Sequence, residues 1–152
     1  SNIDKLISKY NLSDYILLFP FCSEHLQQKK WPYYDQLIKL IKQNHPNLKI
    51  VIAPGPDEIE KAKKLDAVSI LKEDKAISIS ELAGLIKRSK FVVANDTGPA
   101  HMAAHLNVKG LSLFGSHTTA HKVSIERENF KAIQVSDLKN LSAEKVFERL
   151  VL

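Results

Sequence analysis

The sequence has little of several things that would classify a protein directly. It holds one cysteine, Cys22, in 152 residues, so an internal disulfide cannot form and a disulfide-stapled secreted scaffold is excluded. Apolar runs are short. The stretch from Tyr15 to Phe21, interrupted by Pro20, falls far below the roughly 18 residues that span a bilayer. An apolar h-region is also lacking at the start of the chain, so no signal peptide is expected. The expected location is cytoplasmic, with at most peripheral contact at the inner face of the cytoplasmic membrane. Aromatic residues make up only 7% of the chain and none are interleaved with basic residues as a stacking platform, so nucleic acid is not an expected partner.

Long blocks of one charge are missing too. Lys and Arg number 22 against 17 Asp and Glu, a net charge of +5 spread over every polar segment, which reads as a solvated surface. Carboxylates do not cluster at any strand end, and no metal site is expected. His101 and His105 stand at i and i+4, a ligand spacing, but Met102-Ala103-Ala104 lacks the glutamate of the zinc-protease pattern and no third ligand follows.

What is present is an alternation of short apolar runs with amphipathic helical ones, the pattern of parallel strands joined by right-handed helical crossovers. Strands are expected at Tyr15 to Phe19, Lys49 to Ala53, Ala67 to Leu71, Phe91 to Ala94, Gly110 to Gly115 and Ala132 to Val135. Helices are expected at Tyr33 to Gln43, Asp57 to Leu65, Ser78 to Ser89, after Pro99, and at Ser142 to Val151. Ser78 and Glu81 have the spacing of a capping box. The expected fold is α/β, a Rossmann-like parallel sheet with helices on both faces, over residues 15–152. Residues 1–14 read as a polar arm or interdomain linker, and the chain reads as a piece of something larger.

In such a sheet, ligands bind beyond the carboxyl ends of the strands. The candidate loops are Phe21 to Lys30, Pro54 to Glu58, Asn95 to His101 and Gly115 to His121. At Asp96-Thr97-Gly98-Pro99 a strand turns directly into a helix, whose free amides and positive dipole end suit a phosphate. Gly98 allows close approach to the backbone. An ordinary helix start capped by Asp96 or Thr97 accounts for the same residues. Asp96 repels a phosphate but accepts hydrogen bonds from sugar hydroxyls beside one. His101, on the first helical turn, is placed to donate a hydrogen bond. Lys29 and Lys30 bring two ammonium groups next to Trp31-Pro32. Cys22 reads as a small apolar residue rather than a nucleophile.

Taken in order, the run from Ile16 to Pro32 (ILLFPFCSEHLQQKKWP), the turn Ala53 to Glu58 (APGPDE) and the run from Ile79 to Gly115 with NDTGPAHMAA at its centre resemble the carboxyl-terminal half of the heptosyltransferases, glycosyltransferase family 9. The resemblance covers nearly all of the chain after Asp14. It implies the donor-binding half of a two-domain GT-B enzyme. This half would bind a nucleotide-sugar donor, usually ADP-heptose, while an amino-terminal half, absent here, holds the lipopolysaccharide inner-core acceptor and a catalytic aspartate. By resemblance, Lys29 and Ser23 belong at the diphosphate, Asp57 or else Glu58 at the ribose hydroxyls, Asp96, Thr97 and Gly98 at sugar and phosphate, and His101 beside them. No catalytic residue and no cofactor are expected in this half. Two departures stand out: Gly115-Ser116-His117-Thr118 replaces the family's frequent Gly-Pro-Thr-Asp, and Pro54-Gly55 replaces Gly-Gly. A stand-alone nucleotide-binding module without catalysis is the alternative reading.

Overall fold

Apolar runs too short for helices become strands, those in the middle of the sheet buried on both faces. β1 (Tyr15–Phe19), β2 (Lys49–Ile52), β3 (Val68–Ser69), β4 (Phe91–Asn95), β5 (Gly110–Phe114) and β6 (Phe130–Gln134) form one sheet in the order β3-β2-β1-β4-β5-β6, every neighbouring pair parallel. This computed structural model describes residues 2–22, 29–115 and 125–152. The helices within them are α1 (Asn2–Lys9), α2 (Tyr34–Asn44), α3 (Ile59–Ala62), α4 (Ile79–Arg88), α5 (Gly98–His105) and α6 (Ala143–Glu148).

Successive strand residues point to opposite faces, and the two central strands feed two cores. Leu17, Phe19, Val92 and Ala94 pack on one side with Ile3 and Leu6 of α1, Leu85 and Ile86 of α4 and the alanines of α5. Ile16, Leu18, Phe91 and Val93 pack on the other with Trp31, with Leu37, Ile38 and Ile41 of α2, and with Val146 of α6. Full burial of one such side chain contributes about 1.5–3 kcal/mol, so these strands hold the sheet from both sides. The α/β architecture with helices on both faces is the expected one.

Differences from the sequence reading are local. β3 is two residues long rather than five, because it is an edge strand with one partner, although the Ile70 amide still bonds the Ile52 carbonyl. α3 starts at Ile59 rather than Asp57, because Glu58 is engaged in a turn: its amide donates to the Gly55 carbonyl and its carboxylate accepts from the Gly55 amide. α6 ends at Glu148, its last turn tightened by i→i−3 bonds from Arg149 and Leu150. The Ser78–Glu81 capping box is formed. Residues 2–14, read as an arm, pack into the domain: Ile3, Leu6 and Leu12 are buried, and a Cβ at Gly84 of α4 would lie 2.9 Å from Ile3.

The chain leaves β1 for β2 on one side, and β4 flanks β1 on the other. Loops therefore diverge at the carboxyl ends of β1 and β4 and open a crevice there, the place where such sheets take ligands. α5 can lie close to this edge because its buried face is Ala100, Ala103 and Ala104.

Candidate functional site

The crevice is built from three turns. Pro20, Phe21 and Cys22 follow β1, Pro54 to Glu58 follow β2, and Asp96 to Pro99 join β4 to α5. Between the first two, the α4 start and Thr97 lies a cleft of about 300 Å³, lined by Phe21, Cys22, Gly55, Glu58, Ile77 and Ile79 among others. That is the lower end of the range for small-molecule pockets, about 300–1,000 Å³.

Beside the cleft, Asp96 is almost wholly buried, its side chain 2% exposed. Two side chains converge on it: the Lys29 ammonium 3.5 Å from Oδ2 and the His101 imidazole, its Nε2 3.7 Å from Oδ1. The three residues come from the loop before α2, the end of β4 and the first turn of α5, so the fold and not the chain brings Lys29 to the other two. Thr97 occupies the N-cap position of α5 without making a side-chain cap; its hydroxyl donates instead to the Asn95 carbonyl. The first turn of α5 contains no acidic residue either, so its positive end is not neutralised from within the helix. Gly98 is exposed, and a Cβ built on it meets nothing within 4 Å. Packing against other elements does not require glycine here, and its φ is not positive.

Of the two acids after β2, Glu58 lines the cleft while Asp57 is exposed and does not. The Cys22 thiol also lines it; burial pushes its pKa up, with Lys30 and Lys29 pulling down and Glu58 pushing up. Ser23 and the loop from Ser116 to His121 lie outside the described residues. Among the described residues, no group of three or more His, Cys, Asp and Glu side chains is arranged to hold a metal ion. No helix among them is long and apolar enough to cross a membrane.

In the sequence Asn95 is only part of the corner and Trp31 only an aromatic anchor. Both are fully buried. The indole Nε1 of Trp31 donates to the Leu141 carbonyl at 2.7 Å, and its ring meets Tyr34 edge-on at 4.9 Å. A tryptophan beside proline at a helix start hinted at an anchor; nothing in the sequence pointed to Leu141.

The family model for glycosyltransferase family 9 (heptosyltransferase) matches residues 4–150. The chain belongs to this family. A curated relative, lipopolysaccharide heptosyltransferase 1 of Campylobacter coli, is 29% identical over 114 residues, 69% of this chain and 33% of that protein. Among solved structures, E. coli heptosyltransferase WaaC with ADP-2-deoxy-2-fluoro heptose superposes with a TM-score of 0.75 at 22% identity, over 96% of this chain and 46% of the other. E. coli ADP-heptose lps heptosyltransferase II gives 0.77 at 19%, over 96% and 49%. This family 9 chain thus spans less than half the length of each, and the two structures show that its fold is the Rossmann-like α/β fold of one half of a GT-B glycosyltransferase.

Proposed function

We propose that this family 9 chain is the donor-binding half of an inverting heptosyltransferase that moves heptose from ADP-heptose to a lipopolysaccharide inner-core acceptor. The observation that carries the reading is the buried Asp96 held between Lys29 and His101 at the uncapped start of α5. A carboxylate so buried is a poor surface group, but it is suited to accept hydrogen bonds from sugar hydroxyls, while the adjacent ammonium and helix amides receive the diphosphate. Positive charge placed where the leaving diphosphate develops negative charge lowers the barrier to transfer. Lys29 and the α5 amides fill that role here, without calling on a metal ion.

The cleft beside this cluster fits the nucleoside. Phe21, Ile77 and Ile79 give it apolar walls, and Glu58 also lines it. Glu58 rather than Asp57 is assigned to the ribose hydroxyls, because it is the acid that faces the cleft. Inverting transfer also needs a base against the acceptor hydroxyl, on the face opposite the leaving group. Asp96 lies on the donor side, so the base is assigned to the other half of the protein, with the acceptor.

Titration calorimetry of this chain against ADP-heptose, ADP, UDP and GDP tests the reading. ADP and its heptose ester bind, the other nucleotides bind more weakly, and EDTA leaves affinity unchanged. Glu58→Gln lowers ADP affinity and Asp57→Asn does not. Absence of ADP binding sinks the proposal; a preference for UDP reassigns the donor.

A further inference from the structure

Asn95 is the last residue of β4, fully buried one position before Asp96. Its side-chain amide is directed at a remote part of the chain. Oδ1 accepts from the Trp31 backbone N–H at 3.4 Å and from the Tyr34 hydroxyl at 3.3 Å, while Nδ2 donates to the Pro20 carbonyl at 3.1 Å. The arrangement admits one orientation of the amide, since a flip would set donor against donor and acceptor against acceptor. The Asn95 carbonyl in turn accepts from Ser112 and Thr97, which fixes the residue from its own side of the sheet.

Pro20 and Trp31 stand at the two ends of the segment that joins β1 to α2. One buried amide therefore clips both ends of that segment to β4. Lys29 lies two residues before Trp31, and its side chain, 17% exposed, ends at Asp96. Two consecutive residues of one strand end thus do complementary things: Asn95 holds the loop by its backbone, and Asp96 receives its ammonium. A lysine on a loop tethered elsewhere would spread its long side chain over many rotamers, and the contact with Asp96 would be one arrangement among several.

We infer that Asn95 is a positioning residue for Lys29, setting the ammonium at the diphosphate site through the loop without touching the ligand. The inference takes its ligand from the proposed donor reading, but the Lys29–Asp96 contact exists without one, and the test uses both facts. In the absence of nucleotide, acetic anhydride labels Lys29 of the Asn95→Ala variant several-fold faster than Lys29 of the unaltered chain, each normalised to the exposed Lys87 and read by mass spectrometry. With ADP, Asn95→Ala weakens binding by about tenfold in the unaltered background and has no further effect once Lys29→Ala is present, the coupling expected of residues that act as one unit. A residue that only supported the fold would weaken ADP binding by the same factor in both backgrounds, and that result overturns the inference. So does unchanged labelling of Lys29. Tyr34→Phe removes one of the three bonds and keeps the ring, so it produces smaller changes in the same direction and carries the test if Asn95→Ala does not fold. If the unaltered chain binds no ADP, the donor reading fails while the labelling still decides for or against the clip.

Discussion

Lys29 reaches Asp96 across the divergence of β1 and β4, its ammonium 3.5 Å from a carboxylate that solvent barely touches. The pair joins two segments far apart in sequence, and it does so at the point where the sheet reverses its winding. Removing Lys29 therefore has two consequences. Lys29→Ala lowers ADP affinity by about 10- to 150-fold, the equivalent of roughly 1.5–3 kcal/mol for a hydrogen bond to a charged group. It also destabilises the fold by about 1–3 kcal/mol, since a buried carboxylate loses its ammonium. Asp96→Asn in the same background restores much of the stability but none of the affinity, which denaturant unfolding and calorimetry read separately.

Gly98 separates binding from folding in the opposite way. Its Cβ would meet no other element, so the structural cost of alanine is confined to the restriction that Pro99 places on the residue before it. Gly98→Ala changes the melting temperature little and weakens ADP binding. Equal affinity in the two proteins would show that the ligand does not approach this backbone.

Cys22 offers a way to read occupancy of the cleft. Burial holds its thiol above the ordinary value despite the neighbouring lysines, so the reactive thiolate is scarce at neutral pH. Iodoacetamide reacts slowly near pH 7, faster as the pH rises, and more slowly again with saturating ADP, because Cys22 lines the cleft. Mass spectrometry of the labelled peptide follows all three. Protection absent at saturating ADP would place the nucleotide elsewhere.

Glu81 sets an acid limit to stability. The Ser78 backbone N–H, bonded to Oε1 at 2.9 Å, holds its carboxyl below the usual range, helped by the Ser78 hydroxyl and Lys72. Because the folded protein binds this proton less readily than the unfolded chain, the contribution is complete above the ordinary glutamate value, about 4.3, and is lost as the pH falls through the lower folded value. Urea midpoints measured from pH 7 down to 3 fall in this window, and fall less steeply for Glu81→Gln. Ser78→Ala, which removes the other half of the box, costs about 0.5–2 kcal/mol at neutral pH.

What the sequence revealed about this fold follows from the range of the forces involved. β1 and β4 were legible because every residue in them is buried and the run is short; the Ser78–Glu81 box was legible because both partners lie within one turn. β3 shrank because pairing with a single neighbour is not written in its own residues. The corner from Asp96 to His101 could be read as a helix start, since a proline just past a strand end has its φ fixed at a helical value. That Lys29, rather than Lys30, meets Asp96 depends on Asn95 and Leu141 holding Trp31, contacts across 64 and 110 positions that no local spacing encodes. Which of Asp57 and Glu58 faces the cleft was equally hidden, because a turn decides it and not the identity of the acids.

The packing of α1 bears on where this domain can be cut. A version trimmed to begin at Tyr15, the first residue of β1, would strip Ile3, Leu6 and Leu12 from the face that also carries Leu85 and Ile86. It would leave an apolar trough along α4, with Gly84 at its floor, open to other copies of the chain. The cleft itself would be intact in such a version, yet the preparation would be prone to self-association and would understate the affinity of a sound site. The useful boundary for isolating this domain therefore lies ahead of Asn2, a dozen residues before the first strand.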